Sequence, residues 1–592
     1  STLAVSYYKY YIMDTVDVAG DKCVDLAFVP VNSQSYGFTG RLYITLDGNY
    51  AVKKFLLNTP ANINLNWVDK LRIEQEFKRM PDSTWVLANE NTYVNFYIVK
   101  GAQQLYAHQL RNFDKYQFDV QNADSIFGLL GPIHELPEAT AQTDTFWIHN
   151  RHVPLKEKES ALDDLLAQLR KVPAFNVIIK TAEILITGYI PTTADKDKSK
   201  FDFGPMNTTF SANHLEGFRM RVGGMTTANL NPHWFGSGYL AYGVNDRKLK
   251  YNAKLTYSVN KKKYHEGESP VNNISAIQEY DVYTPGQDFL FTSKDNMFVA
   301  WKVGEPVTMM QYIRKTMLQY QKEWLNGLTL TTWARNENNE AAGTLRYDRY
   351  NADGTLTNLK SFTNTELGTQ LRFAPGERAY NGREGKNSLF NLSKDAPVFK
   401  LSHQMGLKNV LGSDFNYNHT EISAEKRIWL SSFGHIDALV TAGKVWDKVP
   451  FPLLIMPNTN QSITIQPQAF NMMRALEFVS DQYVSFYFTY YMKGWILNRI
   501  PGVKWLRLRE VISFSGFYGG LTDKNNPALD PTGLYRFPEG TSPMGRTPYL
   551  EASVGLENIF KILRIDYYRR LTYLDQPNIK KGGVRIALRF SF

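Results

Sequence analysis

Near its carboxyl terminus the chain alternates strictly. Val584, Ile586, Leu588, Phe590 and Phe592 fall on one face, and Arg585, Ala587, Arg589 and Ser591 on the other. A period of two belongs to a β-strand with one apolar and one polar side. The pattern recurs upstream. Phe218, Met220 and Val222 oppose Arg219 and Arg221, and Tyr251, Ala253, Leu255 and Tyr257 oppose Lys250, Asn252, Lys254 and Thr256. Leu550, Ala552, Val554 and Leu556 oppose Glu551, Ser553 and Glu557. Counted this way, about sixteen strands are expected, starting near residues 217, 235, 248, 291, 312, 326, 343, 364, 397, 415, 433, 478, 504, 547, 562 and 582. Connections around Asn245, Phe433, Pro501 and Ile559 are short, whereas 262–288, 375–396, 447–477 and 520–546 are long and polar. This predicts tight turns at one end of the sheet and long loops at the other.

The first part of the chain differs. Leu42–Leu46 and Tyr50–Phe55 flank Asp47-Gly48, a tight-turn pair between two strand-like arms. Further strands are expected at Tyr7–Ile12, Cys23–Val29, Val68–Phe77, Thr84–Ala88 and Tyr93–Val99, giving an antiparallel β domain over 1–118. Over 119–200 the period changes. Leu162, Leu165, Leu166 and Leu169 are spaced as on a helix, and Pro173 opens a second helical segment ending near Gly188. These apolar stripes are read as packing faces, followed by a solvated charged linker from Ala194.

Composition adjusts this picture. No run of 18 apolar residues exists, so a membrane-spanning helix is not expected. A transmembrane barrel fits the mean hydropathy of −0.36, because its strands alternate and average out. The 35 Tyr and 35 Phe suit long strands and interfacial aromatic girdles. Cys23 stands alone and is read as a small core residue. The net charge of +10 is dispersed, which suits anionic lipid headgroups better than a clustered nucleic-acid footprint. No signal peptide is visible at Ser1, and the chain is expected to continue upstream. The fold class that follows is all-β: a transmembrane antiparallel barrel over 201–592, preceded by a periplasmic β domain and a short helical linker.

Two resemblances sharpen the expectation. The terminal residues Lys581, Gly583, Ile586, Leu588, Phe590 and Phe592 resemble the carboxyl-terminal assembly signal of bacterial outer-membrane barrels. Asn213–Gly224, Leu371–Glu377, Glu477–Tyr483 and Leu508–Phe514 resemble a Bacteroidota outer-membrane family of unknown function. Members of that family often carry an amino-terminal carboxypeptidase-regulatory-like domain, which is not among these residues and is expected to be lost with the missing start. More distantly, the barrel is similar to the BamA and TamA superfamily of assembly and translocation barrels. It departs from that superfamily by lacking a clear Val-Arg-Gly-Phe-type motif and tandem polypeptide-transport repeats. In the first domain, Gly40–Thr45 with Tyr50–Lys54 is similar to the curled sheets of periplasmic lipoprotein carriers. The residues themselves are read as a docking or spacer module.

Little in the sequence carries chemistry. The ten His form no His-x-x-x-His pair; His149 and His152 lack a neighbouring carboxylate or Cys, and Ser402 and His403 face opposite ways on one strand. Neither a dinucleotide nor a P-loop motif is present. No catalytic residue, metal, nucleotide or other cofactor is therefore expected, and no nucleic-acid partner. Arg219, Arg221, Arg585 and Arg589, with Lys250, Lys254 and Arg564, should line a lumen near the first and last strands. They are read either as a substrate-guiding seam or as ion pairs with carboxylates such as Glu551, Glu557 and Asp566. The greasy loop Phe451, Leu453, Leu454, Ile455 and Met456 should plug the lumen or meet a partner. The expected role is outer-membrane biogenesis: assembly, insertion or export of outer-membrane proteins or lipoproteins within a complex. Expected partners are outer-membrane lipids, lipopolysaccharide, and other barrels or lipoproteins. The competing roles are a passive or gated pore for small solutes, or a barrel that only anchors the periplasmic domain.

Overall fold

Asp47 and Gly48 turn the chain as their type predicts, pairing β3 (Thr39–Thr45) with β4 (Val52–Asn58) in the computed structural model. Gly48 takes φ +88° there, a value glycine reaches without a Cβ clash. The structure describes residues 4–31, 37–60, 65–97, 105–118, 142–151, 187–193, 198–303, 307–324, 326–377, 395–577 and 579–589, together with scattered positions between these stretches. The hairpin sits inside a seven-stranded antiparallel meander. It comprises β1 (Tyr8–Val18), β2 (Asp21–Pro30), β3, β4, β5 (Val68–Arg79), β6 (Trp85–Phe96) and β7 (Leu105–Asn112). Two strands expected at 84–88 and 93–99 are one, because the polar run Asn89–Thr92 pairs in register with Glu76–Ile73. β7 escapes the pattern because nearly every residue in it is exposed, leaving no apolar face to alternate. Cys23 lies fully buried in β2.

The helix expected over 157–171 lies outside the described residues. A short helix, Asp144–Asn150, is capped by Thr143, and a helical turn ends where Gly188 donates to the Ile184 carbonyl at 2.8 Å. The chain then enters the large sheet through β8 (Ile190–Pro191), β9 (Phe201–Phe203) and β10 (Phe210–Asn213). Six strands follow: β11 (Gly217–Thr226), β12 (Trp234–Gly243), β13 (Leu249–Ser258), β14 (Asn272–Tyr283), β15 (Met309–Glu323) and β16 (Leu328–Gly343). A small hairpin, β17 (Tyr347–Tyr350) with β18 (Leu356–Leu359), precedes β19 (Ser361–Phe373). Another, β20 (Ala379–Tyr380) with β21 (Phe390–Asn391), precedes β22 (Val398–Gly406), β23 (Tyr417–Trp429) and β24 (His435–Val445). The last wall strands are β26 (Gln482–Tyr491), β27 (Arg509–Gly520), β29 (Tyr549–Ile559), β30 (Leu563–Arg570) and β31 (Gly582–Leu588). Inside the wall, β25 (Phe478–Val479) pairs in parallel with β28 (Ser542–Pro543).

These pieces form one antiparallel sheet of eighteen strands that closes on itself, since β31 leads to β8 and β9, and β9 pairs with β11. Fifteen long strands make up most of the wall. β9 and β10 act together as a broken sixteenth, covering opposite ends of the free edge of β11. No wall strand forms near 291 or 343, where the second expectation meets only the short β17 outside the wall, and β14 replaces much of the loop expected over 262–288. Its Asn272-Asn273 and Gln278-Glu279 pairs look like loop text, yet Asn273, Ser275, Glu279 and Asp281 point inward into a polar interior.

Strand direction assigns each connection to an end. Turns at 324–327, 430–434 and 560–562 and the loops 259–271, 374–397 and 492–508 share the end where β8 and β9 arrive, here the near end. Loops 284–308, 344–360, 446–481 and 521–548 share the far end, as does the Asn245 turn. The expectation is corrected at three places: 375–396 and what remains of 262–288, the loop 259–271, lie at the near end, and the Asn245 turn at the far end. Parity decides them, because two expected wall strands are lost and the unrecognised β14 is gained, which shifts the downstream count by one.

The near end holds the amino-terminal sheet. Arg507 donates to the Leu65 carbonyl at 3.0 Å and to the Tyr97 hydroxyl at 3.3 Å, and Asn66 Nδ2 donates to Asn558 Oδ1 at 2.5 Å. The Lys561 ammonium stands 4.6 Å over the Trp67 ring and 4.2 Å over that of Tyr97.

Candidate functional site

Outside, the wall is apolar. Val222, Leu240, Leu255, Ile274, Leu318, Leu371, Leu401, Ile422, Val440, Val484, Ile512, Val554, Tyr567 and Leu588 supply an exposed large side chain from almost every strand in turn. Trp234, Tyr257, Phe373, Phe399, Trp429 and Phe433 are exposed toward the near end. A continuous apolar band with an aromatic rim is a surface that water does not favour.

Inside, buried charges are matched. Arg219 donates to Glu216 and Asp281 at 2.8 Å each, and Arg221 reaches Asp295 at 2.7 Å. Lys250 bonds Glu216 at 2.7 Å and Asp246 at 2.5 Å. Arg564 chelates Asp566, Lys254 meets Glu266, and Arg589 lies 3.3 Å from Glu557. Fully buried ions persist only with such partners, since desolvating an unpaired charge costs several kcal/mol. These inward cations form local ion pairs, chiefly with partners on neighbouring strands and loops. Asp281 and Asp295 go unforeseen because the first lies on β14 and the second in the loop after it.

The far-end loops 446–481 and 521–548 fold inward and fill the lumen. Phe451 and Leu454 are buried, with Leu453, Ile455 and Met456 packed beside them, against Leu345, Tyr347, Phe362, Tyr417, Val479 and Tyr535. A second cluster joins Phe470, Met473 and Phe478 of the first loop to Phe517 and Tyr549 of the wall. The structure thus seats the greasy loop inside the chain itself. Polar clamps hold it. Glu477 and Arg570 pair at 2.6 Å, both wholly buried. Glu551 accepts from the amides of Asn471 and Met472 at 2.8 and 2.9 Å. Asn525 accepts from the Val449 amide at 2.8 Å and donates to Asp481 at 2.9 Å.

The plug also touches the seam. Ile586 of β31 donates to the Ile463 carbonyl at 2.9 Å and accepts from the Ile465 amide at 2.8 Å, a parallel bridge centred on Thr464. On its other side the same segment pairs with the 284–308 loop, through Ile463 to the Trp301 carbonyl at 2.7 Å and Val303 to that of Gln461 at 3.0 Å. The mid-strand edge of β31 is therefore held by the plug, and short β8 stands between β31 and β9. Gly583 lies within β31, Ile586 at the plug contact, and Leu588 faces outward; Phe590 and Phe592 lie outside the described residues. Arg585 points inward and donates to the Asn471 carbonyl at 2.6 Å. His403 bonds Thr420 Oγ1 at 2.9 Å, and His149 bonds its own helix at Thr145 at 2.7 Å.

Comparison with known proteins gives the chain a family. Residues 1–112 match the profile described as a family of unknown function (DUF5686), and residues 182–525 match that of its C-terminal domain. Among solved structures, BamA from Haemophilus ducreyi lacking POTRA domains 1–3 aligns with 70% of this chain and 78% of its own, at 9% identity and a TM-score of 0.42. CdiB from Acinetobacter baumannii aligns with 64% of this chain and 57% of its own, at 12% identity and a TM-score of 0.32. The copper transporter OprC aligns with 98% of this chain and 70% of its own, at 8% identity and a TM-score of 0.25. No curated protein matches. The C-terminal match alone spans more than half of the 592 residues, and the chain therefore belongs to this family of unknown function.

Proposed function

We propose that this chain is an outer-membrane β-barrel that serves outer-membrane biogenesis, assisting assembly, insertion or export of outer-membrane proteins or lipoproteins within a larger complex. The apolar outer band supports the membrane placement, and the amino-terminal sheet then stands on the periplasmic side with the shorter turns. The observation that carries the role is the seam. Instead of zipping to a full first strand, the edge of β31 is held at Ile586 by a plug segment and beside it by a two-residue strand. A sheet edge held by replaceable segments is a place where another extended chain can add. The filled lumen argues against free diffusion of solutes. No catalytic residue is assigned in this reading.

The test is a gentle-detergent pull-down from native membranes with mass spectrometry of the bound proteins. Recovery of assembly barrels and lipoproteins is expected. Recovery of the chain alone, together with steady conductance in planar bilayers, is the result of a pore and contradicts the proposal.

A further inference from the structure

One far-end cavity gathers several cations. It has a volume of about 1180 Å³ and lies between loop residues 461–476 and 536–540, the start of β31 and the β16 exit. Arg346, Arg474, Arg536, Lys580 and Arg585 line it, against the carboxylates of Asp348 and Glu539. Among the described residues, five cations less two anions leave a formal excess of three positive charges in the lining. Arg219, Lys250, Arg564 and Arg570 elsewhere in the barrel each have a carboxylate within 3 Å. Among the described residues, none of the five lining cations has one within ion-pair distance.

Arg585 makes the mismatch sharpest. It is 4% exposed, and among the described residues it donates only to the carbonyls of Asn471 and Val584 and its Nε has no hydrogen-bond partner. Asp566, its register partner on β30, is chelated by Arg564, and Glu551 is committed to the Asn471 and Met472 amides and to the Tyr549 hydroxyl. Gly583 leaves room beside the guanidinium, since a Cβ there would stand 3.2 Å from Arg585 Nη1. Arg346 spends one nitrogen on the carbonyls of Gly343 and Leu345, and Lys580 donates to that of Val303. The remaining guanidinium donors are forks suited to a tetrahedral oxyanion.

We propose that this cavity is a binding site for a phosphate-bearing group, free or carried as a lipid headgroup. Guanidinium groups from three different loops and a strand surround it, as a multiply charged group with several oxygens requires. The space exceeds that of a lone inorganic ion and suits a headgroup with attached sugar or glycerol. The inference stands on the cavity and does not depend on the biogenesis role.

The experiment is calorimetric titration of the full-length chain in neutral detergent with two probes, inorganic pyrophosphate and short-chain phosphatidic acid in mixed micelles. Saturable binding that weakens with added salt is expected for at least one. Tighter binding of pyrophosphate identifies a free anion as the ligand type, and tighter binding of phosphatidic acid identifies a lipid headgroup; both uphold the site. The Arg474→Gln/Arg536→Gln variant removes one half-buried and one exposed cation of the lining and should weaken binding at least tenfold, roughly the loss of one charge-assisted hydrogen bond or more. Lys360→Gln, an exposed change outside the cavity, should leave it unaltered. No saturable heat with either probe, or equal affinity in the double variant, overturns the proposal.

Discussion

Arg570 and Glu477 meet inside the lumen with no exposed side-chain surface, and Arg570 also lies 4.9 Å from the Tyr549 ring. Removing one partner strands a buried charge, so Arg570→Leu should cost about 3–5 kcal/mol. Pairing it with Glu477→Gln should recover much of that loss. Thermal unfolding of the detergent-solubilised barrel reads both, and equal melting of the single and double variants would contradict the pairing. In the amino-terminal sheet, Asp47 accepts from Thr45 Oγ1 at 2.8 Å and from the Asn49 amide at 3.1 Å. The Thr45 hydroxyl, then the Asn49 amide, holds this carboxyl below its usual value. Because the folded value is the lower one, the carboxylate's contribution is complete above the ordinary aspartate range and disappears as pH falls through the folded value. The Ala51 amide, which donates to Thr45 Oγ1, should exchange faster with acidification relative to its intrinsic rate than in Asp47→Asn. Unchanged protection would remove this hairpin clamp from the account. At this scale the sequence was readable where alternation reveals direction: Arg219, Arg221 and Arg585 do point inward. Their partners were not, because Asp295 and Asn471 sit in loops whose path no local pattern encodes.

Strands gain their identity from one apolar face, and the legibility of each element follows that face. β13, β29 and β30 alternate cleanly and are recognised within a few residues. β14 carries so many polar residues that its text passes for a loop, and β7 has no buried side at all. β9 and β10 are too short for periodicity to register, though they complete the wall beside β11. Their fit depends on Gly224. A Cβ there would stand 2.6 Å from the Asp202 carbonyl oxygen and collide with the Phe201 ring. Gly224→Val should therefore detach β9 while leaving the β11–β12 ladder intact. Protease cleavage between Lys198 and Phe203 should rise several-fold in the variant. Wild-type resistance in Gly224→Val would show that β9 does not rely on this contact.

At the scale of the whole molecule, two units meet through a small set of contacts. Lys561 over Trp67 and Tyr97, and Arg507 to Leu65 and Tyr97, connect the first sheet to near-end turns. Such cation–π contacts contribute about 0.5–2 kcal/mol each. Lys561→Ala with Arg507→Ala should let mild protease separate the amino-terminal sheet from an intact, heat-modifiable barrel. Unchanged cleavage kinetics would place the connection elsewhere. The barrel itself was legible because its outer face repeats one rule around the wall. The plug was legible only as an anomaly, a loop too greasy for water at Phe451–Met456. That it reaches across to β31 depends on pairings far apart in sequence.

The central claim is that the plug holds the seam of a membrane barrel. Cysteines at Thr464 and Ile586, in a Cys23→Ser background, test it most directly when oxidised in isolated outer membranes. The account predicts a rapid intramolecular disulfide that changes gel mobility and disappears on reduction. Recovery of free thiols from protein correctly inserted in the outer membrane, or absence of the chain from that membrane, would contradict it.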